Sequence, residues 1–412
     1  MAAAAPSSWE ELPEDILGQV LLRLPSLDDR VRLRAVCRPW RAGAAAQRHP
    51  RLPPPLPWLA VRDGCLVDDR GSPVRCAPIL RDGVFGYLAV DNLAFLVHDD
   101  GGCSLMDPLS GSTLPLTQLA AAVHRALGES RSYNHSYARK AYIKVILSSP
   151  LDSTLDPLVA VLIMEGHGLA IYTGKQYDAI SICLIPDPKR TNAKRTWGPE
   201  RFSDIAFLRG KLYALTPSEG LHFIELDAGH LNELETSLAF HQCIADDPKQ
   251  QVIYNYGVGT GPEYLVMRYL AESGGRLLMM RRWMFYPQNA RLGDHDKTSK
   301  IEVFQADLTT IPGRWIKVDS LDGQAIFIGS ECSKSVLASQ CAGGIQDDCI
   351  YFMHRVFDNP GREHFGPCVN PLGDSGVYNM RNGKITPLLP QTMMAELQRK
   401  RQFLTWFFPA DA

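Results

Sequence analysis

Residues 9–41 read WEELPEDILGQVLLRLPSLDDRVRLRAVCRPWR, and this stretch decides how the rest of the chain is understood. Pro13 suits the first turn of a helix, where its missing N–H has no partner to lose. Glu14 and Asp15 then sit at the positive end of the helix dipole. Leu12, Ile16, Val20 and Leu24 recur every four residues, with Leu17 and Leu21 beside them, giving a broad apolar stripe of helical period. Pro25 stops that helix, Ser26 suits the N-cap of a second one, and Asp29 follows three residues on. Leu27, Val31 and Ala35 would share one side of the second helix. Pro39 marks a further break, and Trp40-Arg41 lead into an alanine-rich third helix. Helices this short bury little surface among themselves. Their surplus of apolar side chains predicts a partner helix seated in a groove.

The ordered set Leu12-Pro13, Leu24-Pro25, Val36-Cys37 and Trp40-Arg41 resembles the F-box. That resemblance implies a module that binds a Skp-type adaptor, and cullin through it, in an SCF-type cullin–RING ubiquitin ligase. It also implies that Leu12, Pro13, Ile16, Leu17, Val20, Leu24, Pro25, Val36, Cys37 and Trp40 include the adaptor-facing residues. The sequence does not sort contact from core among them.

With 412 residues, the chain is long enough for a helical unit plus one large domain, and 45% hydrophobic content supplies a core. The net charge of −2 and pI near 6.6 give no basic bias toward nucleic acid or an anionic membrane. The ten cysteines are scattered, with no C-x-x-C pair and no zinc spacing, which reads as buried thiols in a reducing compartment. MAAAAPSS has neither the basic start nor the apolar core of a secretory signal, and Leu158 to Met164 is too short to cross a bilayer. These features predict a soluble intracellular protein, nuclear or cytoplasmic.

Residues 1–8 read as a disordered leader, 9–49 as the helical module and 50–57, with LPPPLPW beginning at Leu52, as a stiff proline-rich linker. From residue 58 to about 390, short apolar strands alternate with glycine and aspartate turns. One set is Gly86-Tyr-Leu-Ala-Val, Ala94-Phe-Leu-Val-His and Cys103-Ser-Leu-Met-Asp. A second runs from Asp204 through the Arg209-Gly210 turn to His222-Phe-Ile-Glu-Leu, a third from Tyr264 to Phe304, and a fourth from Ala325 to Met380. Asn382-Gly383 gives a type I′ hairpin signal. Recurrence roughly every fifty to sixty residues is propeller-like and predicts about six blades, with seven as the upper count. First strands are apolar, as beside a central channel, and last strands more polar, as at an outer edge. A stacked β-sandwich pair is the competing all-β architecture. Thr392 to Phe407 reads as a helix whose Met394, Leu397, Phe403, Leu404 and Phe407 pack on the propeller, within a C-terminal helix and tail over 391–412.

The stretches GYLAVDNLAFLVHDDGGCSLMDPLSGSTLPL, FSDIAFLRGKLYALTPSEGLHFIEL, EYLVMRYLAESGGRLLMMRR, RWIKVDSLDGQAIFIG and DDCIYFMHRVFDNPG resemble, in that order, the KIB-type β-propeller found after F-boxes in a large plant family. The resemblance implies a kelch-like, target-binding propeller and a plant source.

No stretch makes a convincing active site. Gly168 to Lys175 has five residues between its glycines and Gln176 where a phosphate loop needs Ser or Thr. Gly257-Val-Gly259-Thr-Gly261 lacks the third glycine of a dinucleotide fingerprint. His98-Asp99-Asp100 and Asp246-Asp247 read as solvated turns. No catalytic, metal-binding or cofactor-binding residue is therefore expected, and the chain reads as a non-enzymatic receptor. An interaction scaffold acting outside a ligase and a propeller enzyme are the rival readings. The insertions Gln118 to Arg139, Ile185 to Glu200, Trp283 to Lys300 and Val356 to Asp374 interrupt the repeat, and Tyr133, Arg190, Trp197, Arg291 and His364 within them are the expected target contacts.

Overall fold

The computed structural model describes residues 9, 12–46, 52, 54–61, 63–68, 71–74, 76–116, 119–120, 142–150, 158–164, 179–184, 194–197, 202–225, 240–247, 263–286, 297–329, 331–341, 344–353, 374–399 and 404–410. Three helices come first: α1 (Glu14–Arg23), α2 (Leu27–Ala35) and α3 (Arg38–Ala46). Pro13 caps α1 in an extended conformation, and its carbonyl accepts the Leu17 N–H at 3.0 Å. Ser26 takes the expected cap position of α2, but its side chain makes no capping bond. Pro39 does not break the chain; it sits in the first turn of α3, where no N–H is needed. The face expected from Leu27, Val31 and Ala35 splits. Leu27, Arg30 and Leu33 are buried, whereas Val31 and Ala35 are exposed. The helical core is Leu17, Leu21, Leu33 and Ala44, with Leu12, Leu24, Trp40 and Leu52 against it. Close contact of α1 with α3 depends on Gly43, because a Cβ there would lie 2.9 Å from Leu17 Cδ2.

The rest is a ring of sheets. β1 (Trp58–Val61) and β2 (Leu66–Val67) form the first pair of strands. Blade 1 is β3 (Val84–Val90), β4 (Leu93–His98), β5 (Cys103–Met106) and β6 (Thr113–Pro115). Blade 2 is β7 (Tyr142–Leu147), β8 (Leu158–Met164), β9 (Ala179–Leu184) and β10 (Lys194–Trp197). Blade 3 is β11 (Asp204–Leu208), β12 (Lys211–Leu215), β13 (Leu221–Glu225) and β14 (His241–Ile244). Blade 4 is β15 (Glu263–Ser273), β16 (Arg276–Tyr286), β17 (Lys297–Asp307) and β18 (Arg314–Val318). These four are antiparallel meanders. Blade 5 holds β19 (Gln324–Ile328), β20 (Ser333–Leu337), β21 (Cys349–Phe352), β22 (Gly376–Asn379) and β23 (Ile385–Thr386), in the order β20-β19-β21-β22-β23 with β19 parallel to β21. A helix, α4 (Gln391–Arg399), and a strand, β24 (Leu404–Phe407), follow blade 5.

Four expectations need correction. The ring has five complete blades, not six or seven. Among the described residues of 58–78 there are two strands, and their open edge is paired by β24 instead of by local chain, making a three-stranded closing sheet β2-β1-β24 between blades 5 and 1. A two-stranded hairpin is marginal alone, so the pairing must come from elsewhere. The C-terminal helix exists, but it ends at Arg399, and Leu404–Phe407 is strand. Its tertiary pairing with β1 overrides the helical pattern. The β22–β23 hairpin forms around residues 380–383, with the Gly383 N–H bonded to Asn379 O and Asn379 N–H to Lys384 O. Only Gly383 has positive φ there, so the turn is not type I′. The inner strand of blade 5 is the polar β20, not the apolar first strand β19.

Apolar clusters fill each gap around the ring. They include Leu66 with Leu96 (closing sheet and blade 1), Phe95 with Val161 (blades 1 and 2), and Ala160 with Leu212 (blades 2 and 3). Leu215 with Met279, Met280 with Ile350, and Leu59 with Phe327 complete the circle. Strands β3, β7, β11, β15, β20 and β24 line the axis. The outer strands β6, β18 and β23 bury no residue. In blades 1, 3 and 4 the outermost strand lies beyond the last one read from the sequence: Cys103–Met106, expected as a polar edge, is a fully buried third strand. Met393 and Met394 of α4 pack on the cluster between blade 5 and the closing sheet.

Candidate functional site

The helical module separates an interior from an outer ridge. Leu17 is 1% exposed and belongs to the core. Leu12, Leu24, Pro25, Cys37 and Trp40 are half-buried, with Trp40 Nε1 donating to Trp9 O at 2.8 Å. Pro13, Ile16, Val20 and Val36 face outward, and the last three keep 40%, 38% and 61% of their surface in water. Ile16 and Val20 are one helical turn apart on α1. Three further exposed apolar side chains lie outside the expected adaptor-facing set: Trp9, Leu22 and Val31. Val31 was expected on the same side as Leu27 from its four-residue spacing, but Leu27 is buried and Val31 is exposed. The charges in helical register, Asp28 and Arg32 at 2.7 Å, were the clue that this turn of α2 faces solvent.

The module docks on the ring at a definite end. The Leu56 N–H bonds Pro25 O at 3.0 Å. Leu27, 3% exposed, joins Trp58, Ala60, Leu66, Leu96 and Phe407 in the cluster between the closing sheet and blade 1. Two neighbouring inner strands, β24 and β3, run in one sense. Phe408, just past β24, donates its N–H to Asp91 O just past β3, while Tyr87 of β3 donates to the O of Val61, the partner of Leu404. The helices therefore sit where the inner strands finish.

Among the expected target contacts, Tyr133, Arg190, Arg291 and His364 lie outside the described residues, and Trp197 is placed only as part of β10. The flanking strands still fix where their segments leave the ring. Residues 121–141 lead into the start of β7. Residues 287–296 join the end of β16 to β17, at the starting end of β15, because Tyr286 pairs with Glu263. Residues 354–373 leave β21 at Phe352, which is level with Ile328 and hence with Ser333, the start of β20. The described strand ends that flank three of the four insertions thus lie at the rim where inner strands begin, opposite the helices. Residues 185–193 follow β9, which runs parallel to β7, and open at the other end.

Buried charges inside the ring form paired networks. Lys144 of β7 meets Asp204 of β11, and Ser333 of β20 lies 3.2 Å from the ammonium. Glu219 accepts Arg268 Nε at 2.7 Å and Arg281 Nε at 2.8 Å. Arg282, wholly buried, bonds Asp374, Tyr269, Thr298 and Met353 O. Burial opposes its charge, but Asp374 and Tyr269 outweigh that and raise its pKa. Burial pushes the Cys103 and Cys332 thiols up to about 12 and Cys243 to about 11, so these sulfurs stay protonated at neutral pH. Cys65, by contrast, is exposed. Among the described residues no group of three acids, histidines or cysteines is arranged to hold a metal, and no helix is long and apolar enough to cross a membrane.

Comparison with known proteins agrees with this division. The family model described as the KIB1-4 beta-propeller matches residues 77–379, and the one described as F-box-like matches residues 9–46. Both matches stop short of a kelch assignment. The chain is 21% identical to the F-box protein At2g26160 of Arabidopsis thaliana over 84% of this chain and 96% of that one. It is 23% identical to the putative F-box protein At5g55150 over 89% and 90%, and 21% identical to the F-box protein SKIP23 over 92% and 90%, both from the same plant. Among solved structures, the N-terminal domain of Nup159 overlaps 57% of this chain and 47% of its own at 6% identity, with a TM-score of 0.27, too loose to bear on the fold. With an F-box-like match over the docked helices and a propeller match over most of the ring, the chain belongs to the KIB1-4 β-propeller family as a plant F-box protein.

Proposed function

We propose that this protein is the substrate-recognition subunit of an SCF-type cullin–RING ubiquitin ligase. In this reading the helices bind a Skp-type adaptor, and cullin through it, while the propeller binds the target protein. The subunit performs no bond chemistry. It raises the target's effective concentration beside the charged conjugating enzyme, and other subunits carry out transfer. No metal, cofactor, nucleic acid or membrane belongs to the reading, and its place is inside the cell, in nucleus or cytoplasm.

The observation that carries the proposal is the ridge of Pro13, Ile16 and Val20 along α1, with Val36 also exposed at the end of α2, on a module whose own core is already filled by Leu17, Leu21 and Leu33. Apolar side chains left in water at helical spacing fit a groove-and-helix partner. For the target, the rim where the inner strands begin is favoured, because the described strand ends that flank three insertions lie there and the helices occupy the opposite end.

The test is affinity purification of wild type and of an Ile16→Asp, Val20→Asp double variant from plant cells, with proteasome and neddylation blocked. Wild type is expected to carry adaptor and cullin, and the variant neither, at unchanged propeller melting. Adaptor without cullin would favour a scaffold outside a ligase, and adaptor retained by the variant would remove the ridge from the interface.

A further inference from the structure

The C-terminal strand touches three parts of the molecule at once. Its backbone pairs with β1 from Trp58 to Val61. On one side Phe408 N–H bonds Asp91 O of blade 1 at 2.8 Å. On the other Trp406 Nε1 donates to Ile328 O of blade 5 at 3.1 Å, and Phe327 meets both Trp406 and Phe408 edge to face. Below, Phe407 stacks on Trp58 with ring centroids 5.8 Å apart, and this pair shares its cluster with Leu27 of α2. Thr405 through Phe408 are all buried.

We propose that β24 is a latch that both closes the ring and fixes the pose of the helical module on it. Leu27 is buried in the cluster that Phe407 and Trp58 build together with Ala89, Ala94, Leu96 and Met106 of blade 1, so loss of Phe407 opens the site that receives it. The second tie, the bond from Leu56 to Pro25, depends on β1, which β24 holds in register. The proline-rich stretch is then a short strut between two anchored points, not a spacer between independent bodies. The angle between the exposed ridge and the far rim is set by the last strand of the chain. Loss or displacement of that strand, as by C-terminal clipping, would release the helices while leaving their own core intact.

The latch is testable on the full-length protein alone, without any partner. A fluorophore pair is placed at Arg38 and Asp322 through noncanonical amino acids, which avoids the exposed native thiol of Cys65. The readouts are the distance distribution and amide exchange on β1 and β24. Wild type is expected to give one narrow distribution. Phe407→Ala is expected to lose that narrow distribution and to speed β1 and β24 exchange more than tenfold. Leu27→Asp puts an acid at the first position of α2, where the helix dipole favours it. It is expected to lose the narrow distribution while β1 and β24 keep their protection, which separates detachment from unfolding. A broad wild-type distribution would overturn the latch. So would a narrow one in either variant, or equal loss of β24 protection in Leu27→Asp.

Discussion

Lys144 of blade 2 and Asp204 of blade 3 form a buried ion pair, each side chain 4% exposed, and Asp204 also accepts the Leu270 N–H of blade 4 at 2.7 Å. One carboxylate therefore joins three blades, with Ser333 of blade 5 reaching the same ammonium. Removing one partner of such a pair leaves a charge without compensation. Asp204→Ala is expected to cost about 3–5 kcal/mol, and Lys144→Met less, because the carboxylate keeps its backbone donors. Chemical denaturation of the two variants checks the order, and Lys144→Met being the costlier would refute it.

Leu17 and Val20 are three residues apart on α1 and should behave in opposite ways. Leu17→Ala opens a cavity against Leu21, Leu33 and Ala44 and is expected to cost about 2–5 kcal/mol of module stability. Val20→Ala should move stability by less than about 0.5 kcal/mol, yet weaken adaptor capture. Circular dichroism melting and a pull-down on the same preparations separate the two. Equal loss of melting in both would merge ridge with core.

Gly43 sets the approach of α3 to α1. A Cβ there sits 2.9 Å from Leu17 Cδ2, a contact that the leucine tip can partly relieve. Gly43→Val adds bulk that it cannot relieve, so a loss of about 1–3 kcal/mol is expected. Gly43→Ala should lose much less. Melting of the module in both variants measures this.

Asp348 links folding to pH. Burial raises its pKa, but the Leu321 N–H at 2.6 Å, the Arg381 guanidinium and the Ser320 hydroxyl outweigh burial and hold it below the usual carboxylate value. The unfolded chain thus binds this proton more readily than the folded one. The stabilisation is present in full above the unfolded carboxylate value of about 3.9 and disappears as pH falls through the lower folded value. Asp348→Asn is expected to be less stable than wild type by about 1–3 kcal/mol at pH 7, with the gap closing as pH drops below about 4. Urea midpoints at pH 7, 5 and 3 give the comparison, and a gap that widens on acidification would reverse the assignment.

Much was legible because the deciding signals are local. Pro13 and Pro25 bracket α1 within a residue, and the Arg209-Gly210 pair, with φ of +50° and +76°, makes the tight β11–β12 turn that its composition announced. Strand texture gave blades 1, 3 and 4 almost strand by strand, since alternating turns and apolar runs need no distant partner to be recognised. The ridge was half legible: helical period showed that Ile16, Leu17 and Val20 lie along α1, but a stripe wider than the interior it serves does not say which edge is inside.

What the sequence determined by itself was the kind of each element: helices from 3.6-residue periodicity and proline punctuation, strands from short apolar runs between glycine turns. The tertiary structure alone decided which elements pair when they lie far apart. β24 follows a helix and reads like its continuation, yet it becomes strand because β1, some 340 residues earlier in the chain, offers an unpaired edge. Blade 5 puts polar β20 at the axis, since Ser333 finds Lys144 and Asp204 there. The helices are seated on the ring because Leu27 is buried in the cluster that holds Trp58 and Phe407, residues from the two ends of the propeller that only closure of the circle brings together.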